Sequence, residues 1–217
     1  MDTPSRPLKP RLRGRIHEIA FFVSVPAGGA LVALAAGPVA RVGALVYAIS
    51  LSAVFGASAA YHRGDWSARA LRRMKRLDHS MIFVLIAGSY TPVALLVLHG
   101  AWSVVILSIV WAGAATGVVL KLARIDGLSV PTGILYIALG WLAVIALPQL
   151  LRGMSPLQAV LMLLGGVLYT VGAVVFAIKR PDPSPSVFGF HEVWHAFMVG
   201  AAACHFAMIA LVVRVGM

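Results

Sequence analysis

Seven stretches of about twenty mainly apolar residues constrain this chain more than anything else in it. They run roughly Ile19–Ala40, Val42–Tyr61, Ser80–Leu98, Trp102–Leu122, Leu128–Leu147, Pro156–Ile178 and Phe190–Val213. At about 1.5 Å per residue, a helix of that length covers the roughly 30 Å hydrocarbon core of a bilayer. Turn or charge signals separate the stretches: Gly37-Pro38 with Arg41, then Arg63–Asp78, His99-Gly100, Arg124–Gly127, Arg152–Pro156 and Lys179–Pro185. Composition agrees. Of the 217 residues 60% are hydrophobic and only 12% charged, where soluble domains carry roughly 25%. The sequence predicts an all-α membrane protein, a seven-helix transmembrane bundle in one domain over residues 1–217, with residues 1–15 as a basic arm. The arginines ahead of the first stretch also fit a signal peptide. That stretch is long for one, however, and flows directly into six more.

The net charge is +11, from 18 Lys+Arg against 7 Asp+Glu. With seven alternating spans, all but Arg41, Arg152 and Arg214 of those 18 basic residues fall on one side. The positive-inside rule then predicts a cytoplasmic N-terminus and an external C-terminus. Lys9, Arg11, Arg13 and Arg15 with Arg6, the Arg63–Arg76 group, Lys121 and Arg124, and Lys179 and Arg180 form the belt. Such a belt attracts anionic lipid headgroups. That accounts for the charge without nucleic acid as a partner. Cys204 is the single cysteine, so no intramolecular disulfide and no thiolate cluster forms; it reads as a packed thiol.

Polar residues in or beside membrane spans are costly and mark candidate sites. Ser58 and His62 lie one turn apart near the end of the second stretch. Asp78, followed by His79, opens the third, and His191 and His195 open the seventh. The alternation of spans puts all of these at the same membrane face. His191 and His195 are i and i+4, so they share one helix face roughly 6 Å apart. With His62 they make three nitrogens, which together with one open position form a catalytic-type zinc site. Asp78 is then a proton acceptor or orienter for water there. Ser58 can hydrogen-bond that water or Asp78.

Other histidines read differently. His99 is at a loop, and His17 at the head of the first stretch reads as interfacial. His79 points about 100° away from Asp78. His205 lies 14 residues beyond His191, about 21 Å along the helix, and suits a polar interior. The string His191-Glu192-Val193-Trp194-His195 also matches the H-E-x-x-H of metalloproteases, with Glu192 as base. That reading supplies no later carboxylate ligand and leaves His62 and Ser58 unexplained.

Ser-x-x-x-His at 58–62, Lys-Arg-Leu-Asp-His-Ser at 75–80 running into Gly-Ser-Tyr-Thr-Pro at 88–92, and His-Glu-Val-Trp-His at 191–195 with His205-Phe206 resemble the hemolysin III branch of the progestin and adipoQ receptor family. The resemblance covers Glu18 to His205. It implies seven transmembrane helices with an intracellular N-terminus. It also implies zinc on His62, His191 and His195, with Asp78 and Ser58 beside the zinc-bound water. Adiponectin receptors of that family are linked to ceramide hydrolysis, and alkaline ceramidases share the architecture. A zinc-dependent lipid-amide hydrolase of the bacterial plasma membrane, with membrane lipids as partners, is therefore expected. A pore-forming cytolysin and a zinc-stabilised sensor are the alternatives. One departure stands out: hemolysin III proteins carry Glu-x-x-Asn…Thr-His-Gly at the first span. Here Glu18 is followed by Phe21, Ser24, Val25 and Pro26, so the Asn and His are replaced.

Overall fold

The computed structural model describes residues 9–125 and 128–215, so Arg6 and Gly127 lie outside the described residues. The helices are α1 (Arg15–Ala33), α2 (Gly37–Arg63), α3 (Ala68–Leu96), α4 (Ala101–Ala123), α5 (Ser129–Gly140), α6 (Leu147–Gly153), α7 (Pro156–Ile178) and α8 (Phe190–Val215). A 3₁₀ turn, Leu142–Ala146, joins α5 to α6, and these three pieces make one span. Among the described residues, seven spans are thus long and apolar enough to cross a membrane, as expected. Their outer faces are apolar too: Ile19, Phe22 and Val130 are exposed to the surroundings. In a bilayer those side chains meet lipid, which is as apolar as they are.

Three boundaries differ from the sequence expectation. The first corner falls at residues 34–36 instead of Arg41, because Pro38 suits the first turn of a helix and starts α2 there. Arg41 is consequently inside α2. Helix α3 begins at Ala68, well before Ser80, since Ser67 accepts the Ala70 N–H and caps it. Asp78 and His79 therefore sit more than two turns into α3 instead of opening it. The fifth span breaks after Gly140. Pro148 lacks an N–H and belongs to the first turn of α6. Tyr90 repairs the break from α3: its hydroxyl donates to the Gly140 carbonyl at 3.0 Å and accepts the Ala143 N–H at 2.8 Å. Lys121 also departs from the belt. It is buried in the last turn of α4, over the Tyr136 ring at 5.9 Å.

Helices α2, α3 and α8 form the inside of the bundle. Of their most apolar windows 56%, 50% and 39% is buried, against 28% or less for every other span. These are the helices that carry the candidate polar residues. Small residues let α2 and α3 approach closely. A Cβ on Gly88 would lie 2.1 Å from Ser50 Oγ, whose hydroxyl already donates to the Tyr47 carbonyl.

Gly88→Ala is expected to cost about 1–3 kcal/mol through overpacking, read as a lower melting temperature of the detergent-solubilised protein. Gly29→Ala, where a Cβ meets nothing within 4 Å, should leave that temperature unchanged or slightly raised.

Candidate metal centre

The centre is built where α2 ends and α8 begins. Helix α8 starts at Phe190 because two side chains take up its first free donors. Asp182 Oδ1 accepts the Phe190 N–H at 2.8 Å, and Glu192 Oε2 accepts the Gly189 N–H at 2.8 Å. His191 and His195 then follow on one face of the first two turns. His62 arrives from the last turn of α2. One nitrogen from each of the three rings lies within 4.8 Å of the others. His62 Nε2 and His191 Nε2 are 3.1 Å apart. The ring centroids are separated by 4.7, 5.2 and 4.6 Å. Tetrahedral zinc with Zn–N bonds of about 2.0–2.1 Å would hold its nitrogens roughly 3.3 Å apart; His62 and His191 stand near that spacing, and all three rings are close enough to hold a metal ion. His62 and His195 are buried, and among the described residues Nδ1 of His195 has no hydrogen-bond partner. Buried polar atoms of a folded protein are usually paired; the His195 ring is held in the cluster without that support at Nδ1 among the described residues.

Ser58 and Asp78 meet each other. Ser58 is buried one turn before His62 on α2 and is the side-chain hydrogen-bond partner of Asp78 on α3. Asp78 is not among the groups that converge within 4.8 Å. Its Oδ2 lies 3.5 Å from His79 Nδ1, which also contacts the Lys75 carbonyl at 2.8 Å. Tyr136 donates to the His79 carbonyl at 2.7 Å.

Glu192 is fully buried and forms an ion pair with Arg13 while it caps the start of α8. Its carboxylate is thus committed to structure, which removes the group the H-E-x-x-H reading needs as a base. His205 stands apart: Nε2 contacts the Met162 carbonyl at 3.2 Å, and the ring borders Tyr169. It borders an apolar cavity of about 440 Å³ between α3, α4, the broken fifth span, α7 and α8. His99 is at the opposite end, where its N–H donates to Gln149 Oε1.

His17 overturns its interfacial reading. It is 1% exposed and stacks on His195, with ring centroids 3.7 Å apart and planes 13° from parallel. The signal for this was available. Helix α1 starts at the same end of the bundle as α3 and α8, so a polar residue in its first turn reaches the same level. The arm ahead of it is tied down. The Arg11 and Leu12 N–H groups donate to the Ser186 and Val187 carbonyls at 3.0 and 3.1 Å. Gly14 has φ 80°, and a Cβ there would lie 2.7 Å from His62 Cβ.

The sequence profile of the family described as Haemolysin-III related matches residues 6–206. The hemolysin-3 homolog of Bacillus subtilis (strain 168) is 36% identical over 130 residues, covering 60% of this chain and 58% of that protein. Hemolysin-3 of Bacillus cereus is 35% identical over 130 residues, 60% of this chain and 57% of the relative. The chain thus matches less than two thirds of the length of either. The human monocyte to macrophage differentiation factor is 27% identical over 182 residues, 78% of this chain and 69% of that protein.

Substituting any one of His62, His191 or His195 by Ala is expected to remove the metal retained by the purified, dialysed protein, measured by elemental analysis. His99→Ala is expected to keep it.

Proposed function

The chain belongs to the haemolysin-III related family of integral membrane proteins, and on that premise we propose that it is a zinc-dependent hydrolase of lipid amides, acting from within the membrane. The observation that carries the reading is the three-imidazole cluster. Among the described residues, no fourth imidazole, thiol or carboxylate joins it at ligand distance. A structural zinc site is closed by four protein ligands, whereas a catalytic one keeps a position open. That favours an enzyme over a sensor with a structural ion.

What zinc supplies at such a site is Lewis acidity towards a carbonyl and towards water. His62, His191 and His195 hold the ion. Asp78 accepts a proton from the attacking water and returns it to the leaving amine, as the amide C–N bond breaks and the water oxygen bonds to the acyl carbon. Ser58 orients the Asp78 carboxylate for that exchange. The cavity beside His205 has an almost wholly apolar wall, including Val93, Ile106, Leu147, Leu163 and Met208. It suits a lipid hydrocarbon chain, and none of His62, Asp78, His191 and His195 lines it. The same wall argues against a pore, which needs a polar path along the bundle.

The orientation belongs to the proposal as well. Basic residues crowd the end where α2, α4 and α7 finish and α1, α3 and α8 start. With that end cytoplasmic, the metal centre faces the cytoplasm of a bacterial cell. The exposed arginines at the start of α3 then meet anionic headgroups.

In lipid nanodiscs, the zinc-loaded protein should release fatty acid from ceramide-type substrates. Asp78→Asn is expected to lower kcat by about 10²–10⁴-fold, the usual contribution of a positioned acid–base group. Ser58→Ala should cost less. Dye leakage from vesicles without fatty-acid release, unaffected by zinc removal, would replace this reading with the cytolysin.

A further inference from the structure

A metal-bound imidazole must keep its ring in the plane that contains the ion. The torsion that turns the ring is soft, so something outside the ring has to fix it. In most metal sites the second ring nitrogen does so, by donating to a carboxylate or carbonyl. His195 lacks that support at Nδ1, which is buried without a partner among the described residues. What His195 has instead is His17, lying flat against it at 3.7 Å and 13°.

The nearest polar group to the His17 ring nitrogens is the His195 backbone. His17 is buried, and among the described residues neither ring nitrogen makes a hydrogen bond of good geometry, to that backbone or to anything else. Its other aromatic neighbour, Phe55 of α2, is tilted at 54° with centroids 5.1 Å apart. Nor is it one of the three converging ligands. Parallel stacking also makes it a poor fourth ligand as placed, because a ring binds a metal in its own plane.

The chain spends several contacts on holding His17 there. Arg13 is paired with the buried Glu192, one helical turn before His195. The Arg11 and Leu12 amides bind the loop ahead of α8. Glu18 receives Arg15 at 2.8 Å and Arg63 of α2 at 3.5 Å. Gly14 lets the backbone turn against His62. Together these fix the first turn of α1 against both helices that supply the ligands.

We propose that His17 is a positioning residue of the metal centre, whose ring, stacked on His195, fixes the plane in which His195 presents its nitrogen to the ion. The role rests on the three histidines binding a metal, as in the reading above. It belongs to the face of the ring and not to its nitrogens, so an aromatic hydrocarbon replaces it and a methyl group does not.

The test is metal affinity of the full chain in nanodiscs, by competition titration with zinc, together with the visible spectrum of the cobalt-substituted protein. His17→Ala is expected to weaken zinc binding about 10–100-fold, the usual effect of losing a group that supports a ligand, and to change the cobalt spectrum. His17→Phe is expected to restore both. If the wild-type protein takes up no zinc, the hydrolase reading falls and this role with it. If wild type binds zinc and His17→Ala binds it equally well with the same cobalt spectrum, the positioning role alone is overturned. If His17→Phe binds as weakly as His17→Ala, the nitrogens matter and the stacking role is overturned. His17→Phe keeps the packing volume nearly intact, so this last comparison against wild type stands even if His17→Ala fails to fold.

Discussion

Inside a hydrocarbon layer no water pairs with a stray polar group, so every N–H, C=O and side-chain oxygen must find its partner within the protein. Much of this fold follows from that demand. Ser89, Thr91, Thr116, Thr132 and Thr170 each donate back to a carbonyl one turn earlier. Where the fifth span breaks, the Tyr90 hydroxyl serves a carbonyl and an amide at once. Against that background the unpaired buried atoms stand out. Of the six among the described residues, three are ring nitrogens of His17 and His195. Proteins break such rules at functional sites, and half of the breaches here fall at the histidine cluster.

One five-residue string serves two ends at the start of α8. His191 and His195 face α2 and meet His62. Glu192 between them faces the arm, where it pairs with Arg13 and receives the Gly189 amide. The spacing of a helix explains the division: i and i+4 share a face, while i+1 turns about 100° away. Two of the three converging histidines and the clamp that holds their neighbour are thus cut from the same two turns.

Several parts of this arrangement were legible early. The seven apolar stretches identify the spans, and their alternation brings His62, Asp78, His191 and His195 to one end. Charge patterning was less secure at the level of single residues. Lys121 looks like a loop cation, yet it lies buried over Tyr136. The charged run from Arg69 to Arg76 looks like a loop, yet with Ser67 as its cap it is the first two turns of α3. Hydropathy marks where a helix enters lipid, not where it begins. A capped helix extends past the membrane without any apolar signal.

The sequence by itself determined the seven spans, the common level of the candidate site and the i, i+4 pairing of two of its histidines. Local spacing and water's exclusion from the bilayer suffice for each of these. Only the tertiary structure decided which polar groups touch. The 3.1 Å contact of His62 with His191 depends on how α2 and α8 cross. The commitment of Glu192 to Arg13 joins residues 179 positions apart. His17 reaches His195 because the arm is tied across the loop before α8. Helix period and hydropathy fix the height of a residue in the bundle. The direction in which it points across the bundle is set by packing, and that is where this site is made.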